Sequence, residues 1–183
     1  MAGRQPRRRH PTSWGWHPLR PEWAERLVAA SPVRPGDVVV DLGAGDGALT
    51  LPLVRAGCRV LAVELHHQRA SALRARVEAS RLATSRVAVL ELDLGEFCWP
   101  GHPFRVVANP PYAGVNSLVR RLLAVRHLRS ADLVVAEGAA RGLLSRYDDR
   151  LELGRRVPPH AFRNRPPGGA RVLRIRPRCG PIR

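Results

Sequence analysis

The chain has 183 residues, which is enough for one domain with a proper core and leaves no need for a second. Its 31 basic residues, all arginine, outnumber 15 acidic ones and give a net charge of +16. This indicates a polyanionic partner such as nucleic acid, although a GC-rich genome would produce the same arginine bias. Because no apolar run is long enough for a signal-peptide core or a membrane span, we expect a cytoplasmic protein without membrane association.

Short apolar strands alternate with helices along most of the chain. Residues 1–20 are predicted to form a basic arm, residues 21–177 the domain, and residues 178–183 a basic tail. Helices are predicted at 21–30, 47–56, 68–82 and 117–127, and strands at 37–42, 59–64, 86–92, 104–108 and 131–136. Residues 171–176 alternate as an edge strand would. The alternation predicts an α/β fold with a mostly parallel sheet and helices on both faces.

A glycine-rich turn follows the first predicted strand. Residues 41–47 read DLGAGDG, so Asp41 precedes glycines at alternate positions that begin with Gly43 and Gly45. Glycines at such a turn let the backbone approach a ligand with no Cβ in the way. A dinucleotide site would normally read GxGxxG, whereas this spacing after an acid suits the amino-acid part of S-adenosylmethionine. A tight structural turn is the alternative explanation.

Two carboxylates end the next two predicted strands. Glu64 follows the second strand, where a carboxylate can accept hydrogen bonds from both hydroxyls of a ribose. Asp93 closes the third strand, where it can accept the amine hydrogens of a cofactor's adenine. Each acid alone is equally well explained as a solvated residue, but their order after the glycine turn favours cofactor binding. No metal site is predicted, because the cysteines are far apart and no histidine cluster has ligand spacing.

The tetrapeptide Asn109-Pro110-Pro111-Tyr112 follows the fourth predicted strand, at the edge of the sheet where such folds bind ligands. The carbonyls of the Asn109 side chain and of the next peptide can accept both hydrogens of an exocyclic amine, which frees its lone pair for attack on a methyl group. The prolines stiffen the loop, and Tyr112 offers a face on which an extruded base can stack. The alternative is a proline turn with a buried tyrosine.

In this order, DLGAGDG, Glu64, Asp93 and NPPY resemble the Erm family of 23S rRNA adenine-N6 methyltransferases, relatives of the dimethyladenosine transferases. The WGWHPL opening and the expected lack of a C-terminal helical domain are similar to the short actinobacterial members. The resemblance implies a Rossmann-like class I methyltransferase with S-adenosylmethionine as cofactor. It also implies N6 methylation of an adenosine in 23S rRNA and resistance to macrolide, lincosamide and streptogramin B antibiotics.

The resemblance also implies roles for individual residues. Cofactor contacts fall on His17, Leu19, Gly43, Glu64, Asp93 and Asn109, next to Asp41 and Gly45 from the glycine motif. Catalytic positions are Asn109, Pro110, Tyr112 and Phe162, the last an aromatic that helps to hold the target base. His17 stands where the family has an asparagine, and Asn164 breaks the pattern that follows Phe162. Pro110 replaces the more usual leucine or isoleucine, which leaves mono- and dimethylation open.

The expected partner is 23S rRNA, either naked or in an assembling large subunit, and the enzyme is expected to be a monomer. Residues 1–20 and 163–183 carry twelve arginines and no acid, and are predicted to grip phosphates around an extruded adenine. A solvated surface with incidental charge is the alternative. NPPY also occurs in methyltransferases of DNA adenine and of protein glutamine, and a non-catalytic RNA-binding module of the same fold stays open. The glycine spacing disfavours a dehydrogenase.

Overall fold

The computed structural model describes residues 17–80, 82, 84–147 and 149–176, so most of the predicted arm and the basic tail lie outside the described residues. The helices are α1 (Pro21–Ala30), α2 (Thr50–Arg55), α3 (His67–Ala79), α4 (Val115–Ala124) and α5 (Glu137–Leu144). The strands are β1 (Val38–Leu42), β2 (Arg59–Glu64), β3 (Val87–Glu91), β4 (Phe104–Ala108), β5 (Leu128–Ala136), β6 (Leu151–Val157) and β7 (Ala170–Ile175). None of the described helices is long and apolar enough to cross a bilayer.

The seven strands form one mixed sheet in the order β3-β2-β1-β4-β5-β7-β6. The first five strands pair in parallel, and β7 pairs antiparallel with both β5 and β6. The order reverses direction between β1 and β4. At such a switch point the loops that follow the two strands diverge and leave a crevice at the carboxyl edge of the sheet.

Helices cover both faces of the sheet because successive strand residues point to opposite sides. Val39 packs in one core cluster, with α1, α2 and α3, and its neighbour Val40 packs in the other, with α4 and α5. Both valines are fully buried. This confirms the prediction of a mostly parallel sheet wrapped on both sides.

Residues 171–176 were expected to form an edge strand, and this expectation is wrong. β7 lies between β5 and β6, so β6 is the edge. The polar residues that suggested an exposed face are ion-paired instead. Arg174 Nε lies 2.7 Å from Asp132 Oδ1 on the adjacent β5, and Arg171 Nη2 lies 3.5 Å from Glu137 Oε1 at the start of α5. Ion pairing of this kind lets an inner strand carry charged side chains.

The sequence analysis missed α5 and β6. β6 carries two adjacent arginines, Arg155 and Arg156, and its register with β7 shifts between Leu153 and Arg156. An irregular, charged strand lacks the apolar alternation by which strands are found in a sequence. The charges suit an exposed sheet edge, where they oppose pairing with a second chain.

The predicted boundary of the arm is also corrected. Residues 17–20 belong to the folded domain, because Leu19 is fully buried and pairs antiparallel with Phe162. The Arg20 amide donates to the Ala161 carbonyl at 2.8 Å, and the Arg163 amide to the Pro18 carbonyl, also at 2.8 Å. The chain therefore enters the domain before α1, through contacts with residues that follow β6.

Candidate active site

The loops that follow β1 and β4 meet at the switch point of the sheet. Gly43 lies in the first loop with a positive φ of 71°, and a Cβ at this position would lie 3.0 Å from Cδ of Pro111 in the second loop. A side chain there would be strained by the backbone and would push the two loops apart. Glycine at position 43 thus lets the glycine turn and the Asn109–Tyr112 loop touch.

Glu64, at the end of β2, holds the glycine turn in place. Its Oε2 accepts a hydrogen bond from the Gly45 amide at 2.8 Å, and its Oε1 accepts one from the His66 amide at 2.9 Å. The side chain is buried, and Arg69 Nη1 lies 4.0 Å from Oε1. Each carboxylate oxygen still has a second lone pair for a ligand hydroxyl. Glu64 therefore has both a structural role and spare capacity as an acceptor.

Asp41 is almost fully buried beneath the same turn. Its Oδ2 accepts a hydrogen bond of 2.7 Å from the Thr50 hydroxyl at the start of α2. Burial raises the pKa of this carboxyl to about 7; the Thr50 bond lowers it and the nearby charge of Glu64 raises it further. Asp41 lines a recess of about 20 Å³ with Leu19, Gly43, Gly45 and Asn109. This recess is separate from a much larger cavity, of about 890 Å³, at the same edge of the sheet.

Asp93 lies just past β3 and is exposed at the mouth of the site. Its Oδ1 accepts a hydrogen bond of 2.6 Å from the Gly95 amide. The loop that it begins is held by Arg121 of α4, whose Nη1 donates to the Leu94 carbonyl and whose Nη2 donates to the Phe97 carbonyl at 2.9 Å. Arg121 was not foreseen, because nothing in the spacing of α4 shows which loop its side chains reach.

A cavity of about 890 Å³ opens at this edge of the sheet. Of the predicted site residues, His17, Gly43, Glu64, Asp93, Asn109 and Pro110 line it. The first turns of α4 supply a wall that the sequence analysis missed, formed by Val115, Ser117, Leu118 and Arg121. A volume of this size is in the range of pockets that bind cofactors or drug-sized ligands.

The side chain of Asn109 is held in one orientation. Its Nδ2 donates to the His17 carbonyl at 2.8 Å. Its Oδ1 is buried and has no hydrogen-bond partner within the described ranges. A buried acceptor without a partner costs about 1 to 3 kcal/mol, so such an atom in a cavity wall indicates a donor on the ligand.

Tyr112 and Phe162, which the sequence analysis placed among the catalytic residues, are not among the residues that line the cavity. The half-buried Tyr112 ring lies 5.3 Å from the His17 ring, and its hydroxyl is buried without a partner among the residues described. Burial raises the pKa of this phenol to about 12. Phe162 is fully buried, 6.4 Å from the His17 ring, so in this conformation it offers no free face to a base. Of these three rings, only His17 belongs to a residue that lines the cavity.

No group of three or more histidine, cysteine or acidic side chains that could hold a metal ion occurs within the described part of the chain. Cys58 is buried, which raises the pKa of its thiol, and Cys98 is exposed.

Comparisons with known proteins identify the family of this chain. Residues 19–154 match the family described as ribosomal RNA adenine dimethylase. A protein of Thermosynechococcus vestitus named ribosomal RNA small subunit methyltransferase A is 38% identical over 111 residues, which are 60% of this chain and 40% of the relative. A Streptomyces thermotolerans protein named rRNA methyltransferase is 31% identical over 173 residues, which are 88% of this chain and 56% of the relative.

Among solved structures, the 23S rRNA methyltransferase ErmE superposes with a TM-score of 0.78 at 23% identity, and the match covers 91% of this chain and 72% of that one. The chain spans 40% and 56% of the lengths of the two relatives above, which is less than two thirds of either. The fold of this chain is shared with the ErmE structure over 91% of its length.

Proposed function

Because the chain belongs to the ribosomal RNA adenine dimethylase family, we propose that it transfers a methyl group to the exocyclic N6 amine of an adenosine in 23S rRNA. The fold is the Rossmann-like α/β fold of S-adenosylmethionine-dependent methyltransferases, which confirms the predicted fold class, and S-adenosylmethionine is the cofactor. The observation that carries the proposal is the unpartnered, buried Oδ1 of Asn109 in the wall of the cavity.

The residues present fit this cofactor. Gly43 presents bare backbone to the cavity, which suits the amino-acid part of the cofactor. Glu64, with one lone pair spare on each oxygen, can accept from both ribose hydroxyls, and Asp93 can accept from the adenine amine. When bound, the cofactor supplies an electrophilic methyl group on a sulfonium. The volume of about 890 Å³ has room for a nucleoside and for part of a second base.

Asn109 supports attack by the target amine. The lone pair of an adenine amine is delocalised into the ring, so the amine is a poor nucleophile. Asn109 Oδ1 accepts one amine hydrogen and the Pro110 carbonyl accepts the other, which favours a pyramidal nitrogen with a free lone pair. Both acceptors are pre-positioned by the proline loop, and this lowers the barrier because no reorganisation is needed during the reaction.

The choice of 23S rRNA draws support from the solved 23S rRNA methyltransferase, which matches over 91% of this chain. A second candidate is an adenosine of small-subunit rRNA, because the relative of that name is 38% identical over its matched region. The high positive charge suits either RNA, and also DNA, whereas it disfavours a basic protein substrate. An inactive RNA-binding module is disfavoured by the presence of Glu64, Asp93 and Asn109 in one cavity.

Transfer of a radioactive methyl group from labelled cofactor tests the proposal. The purified protein is offered 23S rRNA, 16S rRNA, duplex DNA and a basic protein, and Asn109→Ala serves as the matched inactive control. We expect label on 23S rRNA, recovered as N6-methylated adenosine after digestion, and none with the control. Label on 16S rRNA alone would select the second candidate. Label on DNA or protein, or on no substrate, would contradict the proposal.

Resistance to macrolide, lincosamide and streptogramin B antibiotics is the proposed biological result. Expression in a susceptible bacterium should raise the inhibitory concentration of all three drug classes together, because one methylated adenosine would block a shared site. Expression of Asn109→Ala at the same level should not. Growth that is equally sensitive with both proteins would remove the resistance part of the proposal and leave the methylation part to the labelling experiment.

A further inference from the structure

We propose that residues 17–20 and 160–164 form a latch that turns Oδ1 of Asn109 toward the target amine, and that the His17 ring closes this latch. The inference rests on the proposed function of Asn109 and concerns how its side chain is oriented. His17 and the whole 160–164 segment lie outside residues 19–154, over which the family is matched.

The two latch segments are joined by an antiparallel ladder. Leu19 pairs with Phe162, and both side chains are fully buried. On either side of this pair, Arg20 donates its amide to Ala161 and Arg163 donates its amide to Pro18, each at 2.8 Å. The ladder thus anchors the N-terminal entry of the domain in the core, by a contact between residues more than 140 positions apart.

The His17 ring extends the ladder by one step. Its Nδ1 lies 2.9 Å from the carbonyl oxygen of Asn164. A carbonyl can only accept, so Nδ1 carries the proton in this contact. The ring also lies against Tyr112 at 5.3 Å and Phe162 at 6.4 Å between centroids. The side chain therefore fixes residue 17 itself, beyond the last backbone bond at Pro18.

The fixed His17 peptide orients Asn109. The His17 carbonyl can only accept, so it pairs with Nδ2 of Asn109 and would repel Oδ1 if the amide were reversed. The amide orientation that results leaves Oδ1 buried without a partner within the described residues, where the target amine would meet it. His17 is thus a positioning residue that acts through its backbone carbonyl.

A salt bridge ties the latch to the cofactor turn. Arg163 Nη1 lies 3.0 Å from Oδ2 of Asp46, in the glycine turn, and Arg76 Nη1 of α3 lies 3.0 Å from the same oxygen. Asp46 therefore joins the latch, the glycine turn and α3. This contact fixes the position of Asn109 Oδ1 relative to the cofactor pocket.

Three variants separate positioning from stability. His17→Phe keeps a ring between Tyr112 and Phe162 but removes the bond to Asn164. His17→Asn restores a donor at the same position, because Nδ2 of asparagine and Nδ1 of histidine are both bonded to Cγ. His102→Phe makes the same change at an exposed loop position outside the cavity and is the matched control. We expect His17→Phe to slow single-turnover methylation about tenfold, the effect of one hydrogen bond, and to leave the melting temperature close to that of the parent. His17→Asn should recover most of the rate.

Nuclear magnetic resonance reports on the latch independently of activity. The chain has three asparagines, Asn109, Asn116 and Asn164, so ¹⁵N-asparagine labelling gives three side-chain amide signals. The Asn109 signal is identified by its absence from Asn109→Ala. Its protons should exchange slowly with solvent in the parent, in His17→Asn and in His102→Phe, and at least about tenfold faster in His17→Phe, because the hydrogen bond to residue 17 is weakened.

Two results would overturn the latch. One is an Asn109 amide that exchanges equally slowly in His17→Phe and in the parent. The other is a His17→Phe variant whose melting temperature falls together with its methylation rate, with no recovery of the rate in His17→Asn. Only a structural role would then remain for His17. Because the exchange measurement needs no substrate, failure of the latch is distinguishable from failure of the proposed function.

Discussion

At the scale of single residues, two polar atoms in one loop have no partner within the described ranges, and they differ in meaning. Oδ1 of Asn109 lies in the cavity wall, so a ligand can satisfy it. The Tyr112 hydroxyl is buried in the protein, and Tyr112 is not among the residues that line the cavity. The first atom is explained by the proposed reaction, and the second is a cost of placing the tyrosine ring beside His17.

Substitution of Tyr112 should separate its ring from its hydroxyl. Tyr112→Phe removes a buried hydroxyl without a described partner, so the free energy of unfolding should stay the same or rise by about 1 kcal/mol, with methylation retained. Tyr112→Ala removes the ring and should weaken capture of an extruded base by about 1 to 3 kcal/mol. Urea unfolding and the KM for rRNA measure the two effects. A Phe variant that is inactive would show that the hydroxyl itself takes part.

Asp41 should make stability depend on pH. Its pKa is raised to about 7 in the folded protein from 3.8, so between these values the folded state binds more protons than the unfolded state. The free energy of unfolding then falls as pH rises through this range, by at most about 1.4 kcal/mol per pH unit, and levels off above pH 7. Asp41→Asn keeps an acceptor for Thr50 but cannot ionise.

The difference between Asp41→Asn and the parent isolates this carboxyl from the seven histidines, which titrate in both proteins. Urea unfolding at pH 5, 6, 7 and 8 without cofactor should show the variant gaining stability relative to the parent up to about pH 7. If the difference in unfolding free energy between Asp41→Asn and the parent stays constant over this pH series, Asp41 is already ionised in the folded protein at pH 5.

At the scale of elements, the end of β2 and the glycine turn act together through Glu64. Because its oxygens hold the amides of Gly45 and His66, Glu64→Ala removes these two bonds as well as any contact with a ribose. We expect cofactor binding to weaken by about 1 to 3 kcal/mol, measured by calorimetry. Glu64→Gln keeps an acceptor oxygen and a similar shape, so it should bind more tightly than Glu64→Ala. Equal affinity of the alanine variant and the parent would refute the assignment.

The elements that the sequence predicted are those whose signal is local. β1 begins with three valines and is followed by a glycine turn, so its position and its ligand edge follow from the pattern alone. Gly43, Glu64, Asp93 and Asn109 each stand at or just past a strand end, and the parallel sheet brings them to one cavity. The pairing of His17 with Asn164 and of Arg121 with the loop after β3 depends on tertiary packing, which no local pattern reveals.

At the scale of the whole molecule, the net charge overstates the freely available arginines. Four of the seven C-terminal arginines that were expected to grip RNA are ion-paired with acids from other parts of the fold. They are Arg163 with Asp46, Arg171 with Glu137, Arg174 with Asp132, and Arg176 with Glu152. The sequence analysis considered only that residues 163–183 contain no acids. It did not foresee that acids elsewhere in the fold pair with these arginines. The predicted contribution of the C-terminal stretch to phosphate binding is reduced accordingly.

The N-terminal arginines give a prediction for RNA binding. Deletion of residues 1–12 removes Arg4, Arg7, Arg8 and Arg9. Each phosphate that an arginine neutralises adds about 0.7 to 0.9 to the slope of log affinity against log salt, so the slope should fall by up to about 3. RNA affinity should fall with it, while calorimetry of cofactor binding should be unchanged. The parent's slope and affinity in the deletion variant would mean that these arginines are solvated surface.

Trp99 gives the site an intrinsic optical reporter. Its indole stacks on Phe104, with ring centroids 5.7 Å apart, and lies 5.4 Å from the guanidinium of Arg121. The same guanidinium holds the carbonyls of Leu94 and Phe97 in the loop that begins at Asp93. Any shift of this loop on filling the cavity would move a cation relative to the indole and change its emission. Occupancy of the pocket can therefore be followed by native fluorescence, without a label and before any methyl group is transferred.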